Sequence, residues 1–178
     1  MAPEDIRERL TRLPRRAVIA FAARCARRVQ PLTHALPQQG RDAIDRAIAI
    51  AEAFAKGTDV TDVAGVAAEA AKADAYDINA AIWAAIAVVA ANDAVAARHA
   101  TWAAAAEADR TAARAAAASD LERLIALNPG RPGTPGAPID PSESGPLGPL
   151  WPHGAPEWYT EAATGTGTPH EEPSGDAD

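Results

Sequence analysis

Apolar residues recur every three or four positions along the first part of the chain, which predicts α-helices. A short helix is expected to stop near Pro14. A longer helix is expected to run from about Arg15 toward Leu36 and to bend or end at Pro31, because proline lacks an amide hydrogen. A third helix is expected over 41–56, with Gly57 as its C-terminal cap. The buried face of the longer helix would consist of Val18, Phe21, Ala22, Cys25 and Val29.

Residues 78–91 are apolar on every side, and we expect them to form the central helix of the fold. Fourteen helical residues rise only about 21 Å, less than the roughly 30 Å of bilayer hydrocarbon, so a protein core is the expected environment. Alanine occupies 29 of the 55 positions from Ala64 to Ala118. Because alanine is the best helix former and no β-type alternation accompanies it, the sequence predicts an all-α fold.

A last long helix is expected to extend to residue 127. Its inward side would carry Val95, His99, Trp102, Ala106, Ala113, Ala117 and Leu124. Ser119 and Glu122 have the spacing of a capping box, which favours an interruption of the helix there. Together these segments predict a single compact bundle of about five or six helices over residues 1–127.

The composition changes after residue 128, since eleven of the fifteen prolines lie in the last 51 residues. Such a segment cannot bury enough apolar surface to fold alone, so 128–178 is expected to be a proline-rich acidic tail. Within it, 128–145 is expected to be an extended linker and 162–178 a disordered end. The exception is 145–159, which would either pack back on the helices or serve as a ligand for another protein. Its large apolar residues are Leu147, Leu150, Trp151, Trp158 and Tyr159.

Charge is distributed unevenly along the chain, whose formal net charge is −7. Residues 1–56 carry eleven basic against six acidic side chains, 57–127 carry five against ten, and 128–178 carry one against eight. An acidic protein repels phosphate backbones, so nucleic-acid binding is not expected.

The single cysteine, Cys25, is expected to be inert packing. Because a single cysteine cannot form a disulfide within the chain and the sequence shows no secretory signal, we expect a cytoplasmic protein. No apolar run reaches 18 residues, so we expect no membrane span.

Motifs for catalysis or metal binding are sparse. The four histidines, His34, His99, His153 and His170, are far apart, and no two of them have helical spacing. Neither a glycine-rich phosphate loop nor a Ser/His/Asp set is present, so we expect no cofactor and no metal site. An enzyme with a pocket near His99 and Trp102 is the lesser hypothesis.

Arg24, Arg27 and Arg28 form the best candidate for a binding surface in the sequence. They cluster on one side of the second predicted helix, where they could grip an acidic partner or the acidic tail of this chain. The simpler alternative is a solvated face, paired with acidic residues of neighbouring helices.

A resemblance to a known group of proteins is carried by the segment A-R-C-A-R-R-V-Q-P-L, from Ala23 to Leu32, followed by an amphipathic helix and alanine-rich helices. This pattern resembles helical immunity proteins of bacterial polymorphic toxin systems. It is also similar to alanine-rich helical proteins of high-GC bacteria, some of which end in a segment like Gly148 to Pro152 here. The resemblance covers 15–127 and implies an all-helical fold that binds and neutralises a toxin without a cofactor. The proline-rich tail and the lack of a histidine-containing second half depart from the immunity proteins.

We therefore expect a non-enzymatic protein that binds another protein, as an immunity-like or regulatory partner in a bacterial conflict or signalling system. The alternative is a self-associating scaffold, in which residues 151–159 insert into another copy. The sequence does not predict an oligomeric state. The expected partner-binding residues are Arg24, Arg27, Arg28, Trp151, Trp158 and Tyr159.

Overall fold

The computed structural model describes residues 3–60 and 111–164. Within these ranges the structure contains five α-helices, one 3-10 helix and no strand, so the prediction of an all-α fold with an irregular proline-rich arm is confirmed. No helix in these ranges has both the length and the apolar character needed to cross a membrane. The elements are α1 (Pro3–Leu10), α2 (Arg15–Val29), the 3-10 helix (Gln30–Ala35), α3 (Gln38–Ala55), α4 (Thr111–Leu127) and α5 (Glu157–Thr164).

Several predictions concern residues outside the described ranges. The expected central helix at 78–91 lies there, as do His99 and Trp102. Of the expected disordered end at 162–178, residues 165–178 also lie there, whereas 162–164 belong to α5, so the expectation is wrong for these three residues. In the described part of the chain, α2 is the helix around which the others are arranged. It packs against α3 and α4, and α1 also contacts α4.

Helix α2 is buried on all sides over much of its length. The predicted apolar stripe is buried, including Cys25. The opposite side is buried as well, since every residue from Ala17 to Ala26 is inaccessible to solvent. Alanines at five of these ten positions keep the helix surface flat, so neighbouring segments approach it closely and gain dispersion contacts.

The effects predicted for Pro31 and Gly57 are confirmed, although α2 stops before Leu36 and α3 begins three residues before Arg41. Helix α2 stops before Pro31, and the chain continues as the 3-10 helix. Gly57 follows α3 with a φ of 89°, a left-handed conformation that glycine adopts without strain. Its amide donates to the carbonyl of Phe54, and the amide of Thr58 donates to the carbonyl of Ala53, which is the Schellman pattern of a helix end.

Helix α4 is continuous through Ser119, so the expected interruption there is wrong. The residues that follow, Asp120 and Leu121, are both fully buried. A break in this turn would remove them from their packing sites, and tertiary packing overrides a local capping signal. The predicted inward positions Ala113, Ala117 and Leu124 are buried.

We call the segment 129–151 the arm. Its part before residue 145 is not the extended linker that the composition predicts, and its last part packs back on the helices, which is one of the two expectations for 145–159. Ile139 and Leu147 belong to the same hydrophobic core as α2. The arm also completes the N-terminus of α2, where Pro14 offers no side-chain cap. The amide of Arg15 donates to the carbonyl of Thr134 at 3.0 Å, and the amide of the next residue donates to the following arm carbonyl at 2.9 Å. These contacts satisfy two of the amides that every helix start leaves unpaired.

The same part of the arm reaches the C-terminus of α3. The amide of Ile139 donates to the carbonyl of Ala55 at 2.8 Å, which satisfies one unpaired carbonyl of that helix end. Between the two caps, Gly136 lies against Pro14 so closely that a Cβ on it would come within 2.6 Å of the proline ring. The arm therefore fastens the start of α2 to the end of α3.

Replacing Gly136 with alanine should destabilise the protein more than the same change at Gly133. Both glycines have a φ of 78°, but nothing lies within 4 Å of a Cβ built on Gly133. Gly133→Ala should reduce the free energy of unfolding by about 1 kcal/mol through backbone strain alone. Gly136→Ala should reduce it by about 3 kcal/mol, because overpacking against Pro14 is added. Urea denaturation would measure both losses, and equal losses would contradict this account of the arm.

Candidate functional site

Asp120 of α4 lies at the centre of a buried ionic cluster. Its Oδ2 atom accepts a hydrogen bond from Nε of Arg24 at 2.8 Å and another from Nη2 of Arg28. Arg24 is 1% exposed, and Arg28 and Asp120 are 0% exposed. The two arginines are four residues apart on α2, a spacing that directs both side chains to the same side of the helix, toward α4.

Two guanidinium groups against one carboxylate leave an excess of positive charge in the core. Backbone carbonyls of the arm provide the remaining acceptors. Arg24 donates from Nη1 to the carbonyls of Pro141 and Gly148, both at 3.0 Å, and from Nη2 to that of Pro149 at 2.7 Å. Arg28 donates from Nε to the carbonyl of Leu150 at 3.2 Å. These charge-assisted bonds offset the desolvation of the two cations.

A third arginine extends this arrangement from the other helix. Arg123 of α4 donates from Nη1 to the carbonyl of Leu147. We refer to Arg24, Arg28 and Arg123 as the arginine clamp. Between them, the three side chains hold five carbonyls of the arm, and the clamp therefore determines where the arm lies on α2 and α4.

Carboxylates at the start of this region shape its loop. Oε1 of Glu143 accepts the amide of Leu150 at 3.0 Å. Oδ1 of Asp140 accepts the amide of Ser142 at 3.0 Å and lies 3.2 Å from Nζ of Lys56. The hydrogen bonds from Ser142, the backbone one foremost, lower the pKa of Asp140, and Lys56 lowers it further.

The expectation that Arg24 and Arg28 lie on the surface is corrected by these contacts. Both arginines bind their own chain. Their partners are carbonyls of the arm and Asp120 of α4, not the acidic side chains of the tail. Periodicity placed Arg24 on a polar face, and the arm covers that face. Arg27 alone of the three is partly exposed.

Arg27 forms a two-pronged ion pair with Glu52 of α3, with N–O distances of 2.7 and 2.8 Å. It also donates to Oε1 of Gln30 at 2.7 Å. The hydrogen bond to Glu52 is the main cause that raises the pKa of Arg27, with smaller contributions from Asp45 and Tyr159. This pairing with an acid of a neighbouring helix is the simpler alternative considered from the sequence.

Trp151, Trp158 and Tyr159 form one aromatic cluster. Their rings meet edge to face, with centroid distances of 5.7, 5.1 and 5.9 Å. Trp151 is buried, and the guanidinium of Arg28 lies 5.8 Å from the centre of its ring. Trp158 and Tyr159 are half-buried residues of α5, which contacts the 3-10 helix. The structure thus joins the two sequence-predicted residue sets through Arg28 and Trp151, a cation–π contact.

Among the buried polar atoms of this region, some make no hydrogen bond within the described part of the chain, and two of these are an acceptor and a ring donor. They are Oδ1 of Asp120 and Nε1 of Trp151. Residues 3–60 and 111–164 contain no group of three or more potential metal ligands. The two histidines in these ranges, His34 and His153, are exposed at separate places.

Asp120 and Arg123 are the site residues that the sequence analysis missed. An acid within an alanine-rich helix, between buried positions such as Ala117 and Leu124, is the signal that could have identified Asp120. No side-chain pattern marks the arm carbonyls.

Comparison with family models, curated proteins and solved structures finds no match for this chain.

Replacing Asp120 with asparagine should be much more destabilising than replacing Glu52 with glutamine. Asp120→Asn leaves two buried guanidinium groups without a counter-charge, and the free energy of unfolding should fall by about 3 to 5 kcal/mol. Glu52→Gln removes the charge from a partly exposed pair and should lower it by about 1 kcal/mol or less. Urea denaturation of the two variants makes the comparison. Similar losses would show that the buried cluster does not organise the core.

The contribution of Asp140 to stability should depend on pH. Because its pKa is lower in the folded protein, the carboxylate stabilises the fold above its unfolded pKa of about 4 and ceases to do so as the pH falls through the folded pKa. The difference in unfolding free energy between wild type and Asp140→Asn should therefore be constant near neutral pH and vanish in acid. Ser142→Ala keeps the backbone amide and should retain most of this difference. A pH-independent difference would contradict the assignment.

Proposed function

We propose that this protein is a non-enzymatic protein-binding protein that contacts its partner through the exposed edge of the aromatic cluster and the adjacent Arg27. In its most concrete form it is an immunity-like or regulatory partner in a bacterial conflict or signalling system, acting in the cytoplasm. The biological setting rests on the resemblance of Ala23–Leu32 and the helices after it to immunity proteins. The binding surface rests on the geometry of Trp158 and Tyr159.

The observation that supports this binding surface is how the rings of Trp158 and Tyr159 are held in place. Both rings contact the buried ring of Trp151 edge to face. The arginine clamp holds the carbonyls of Pro149 and Leu150, directly before Trp151. Trp158 and Tyr159 themselves stay half-buried, and no residue of α5 is fully buried. Aromatic rings that are already held in place lose little entropy when a partner covers them.

The residue types at this surface are those that dominate binding energy at protein interfaces. Tryptophan, tyrosine and arginine are enriched among interface residues whose truncation weakens binding strongly. Here Tyr159 is near enough to Arg27 to contribute to its raised pKa, and Glu52 holds Arg27 in a fixed orientation. A fixed guanidinium at the rim can direct a hydrogen bond to a partner without further ordering. The net charge of −7 argues against a nucleic acid as that partner.

The alternatives from the sequence receive less support. A self-associating scaffold would need residues 151–159 to insert into another copy, whereas Trp151 fills a site on its own chain. Light scattering that gives a monomer at high concentration would exclude this alternative. The enzyme hypothesis concerns His99 and Trp102, which lie outside the described residues.

Trp158→Ala should weaken binding of the partner by about 2 kcal/mol or more, which is about 30-fold in Kd. The tagged protein would be co-expressed with the products of adjacent genes, and the affinity of any co-purifying protein would be measured by calorimetry. Arg27→Ala should also weaken the complex, whereas Arg46→Ala, an exposed arginine of α3, is the matched control and should not.

Circular dichroism and hydrogen exchange of 141–151 would show that the variants keep their fold and a bound arm. Failure of every adjacent gene product to bind would reject the biological setting. A partner that binds Trp158→Ala and Arg27→Ala as tightly as wild type would reject the surface.

A further inference from the structure

The charges around Trp158 and Tyr159 indicate which kind of partner this surface fits, an inference that rests on the function proposed above. Helix α5 carries two carboxylates, Glu157 and Glu161, and no lysine or arginine. Both acidic side chains are exposed and lie four residues apart, a spacing that directs them to the same side of the helix. Negative charge therefore lies on both sides of the two aromatic residues along α5.

The stability of α5 does not account for both carboxylates. Glu157 is the first residue of the helix, where a negative charge is favourable. Glu161 lies in the last turn, at the negative end of the helix dipole, and the two like charges repel each other at this spacing. A cation from outside the helix would offset both effects.

The arginines near α5 already have partners of their own. Arg27 is paired with Glu52 through N–O distances of 2.7 and 2.8 Å, so its charge is balanced. Arg41 and Asp45 line a cavity of about 310 Å³ beside the end of α5, and their charges are opposite. The arginine clamp directs its guanidinium groups inward, to Asp120 and the carbonyls of the arm. The carboxylates of α5 therefore determine the sign of the charge that a partner meets at the aromatic rings.

The sequence directly after α5 adds to this negative charge. Residues 165–178 contain no lysine or arginine and four acidic residues, Glu171, Glu172, Asp176 and Asp178. The whole chain has a net charge of −7. Charge of this sign attracts a basic partner and repels an acidic one during the approach.

We propose that the partner presents an arginine-containing basic segment to this surface. Its guanidinium groups lie against the half-buried rings and pair with the carboxylates of α5. Arginine suits both contacts, because its planar guanidinium stacks on aromatic rings and donates two parallel hydrogen bonds to a carboxylate. The same cluster already shows the first kind of contact, since the guanidinium of Arg28 lies 5.8 Å from the centre of the Trp151 ring.

Three synthetic pentapeptides with blocked termini test the charge of the ligand. Each is titrated into the isotope-labelled full-length protein and followed by NMR. The peptide Gly-Arg-Ala-Arg-Gly should shift the indole signal of Trp158 and the amide signals of 157–161. A counterpart with citrulline in place of both arginines keeps their size without their charge, and it should bind about fivefold more weakly or worse. The peptide Gly-Glu-Ala-Glu-Gly should not shift these signals.

Variants locate the charges that the arginine peptide recognises. The double variant Glu157→Gln/Glu161→Gln should bind it about fivefold more weakly, because the carboxylates beside the rings are gone. The matched control, Glu8→Gln/Glu122→Gln, changes the net charge equally at exposed positions of α1 and α4. It should bind within about twofold of wild type, since salt screens distant charges. Trp158→Ala should remove most of the binding.

Four results would overturn the proposal. They are the absence of shifts with the arginine peptide, equal binding of the arginine and citrulline peptides, equal affinity of the two double variants, and unchanged binding by Trp158→Ala. The first three leave the protein-binding surface itself in place, because that surface is decided by the affinity of a co-purifying partner for Trp158→Ala. Unchanged circular dichroism of all variants ensures that loss of fold does not explain a loss of binding.

Discussion

The described structure depends on the burial of two guanidinium groups against a single carboxylate. Arg24 and Arg28 present more donors than Asp120 can accept, and a charged donor without an acceptor is very unfavourable in a protein core. The arm provides the missing acceptors as backbone carbonyls. Helix α2 can therefore be buried on this side only when the arm lies on it. The ionic cluster and the arm form one structural unit, although about a hundred residues of sequence separate Arg24 and Arg28 from Asp120 and the arm.

A proline-rich irregular segment suits this task for a simple chemical reason. In helices and strands the carbonyls are already engaged by backbone amides, whereas proline contributes a carbonyl and no amide. The arm thus carries carbonyls that no regular ladder uses. Some of these carbonyls accept hydrogen bonds from the first amides of α2, and others accept them from the arginine clamp. The amide of Ile139 donates to the last carbonyl of α3. The composition that prevents the arm from folding alone makes it a good partner for arginines and helix ends.

The same unit places the aromatic cluster. Leu150 and Trp151 follow directly on the carbonyls held by the clamp, and Arg28 contacts both the carbonyl of Leu150 and the ring of Trp151. Trp158 and Tyr159 are then oriented by their contacts with Trp151. Buried charge, irregular backbone and half-buried aromatic rings are therefore linked in one sequence of contacts. The surface proposed for partner binding inherits its rigidity from the core.

The local features follow from the sequence alone. Periodicity identified α2 and α3, Pro31 and Gly57 marked their ends, and the apolar stripe predicted the burial of Cys25. These follow from interactions within a few residues, which a helical repeat or a single φ angle records. The burial of Arg24 and Arg28 and their pairing with Asp120 depend on how distant segments pack together. Both arginines are held largely by backbone carbonyls about 120 residues away in the sequence. A carbonyl has the same chemistry in every residue, so no side-chain pattern predicts which carbonyls will accept these hydrogen bonds.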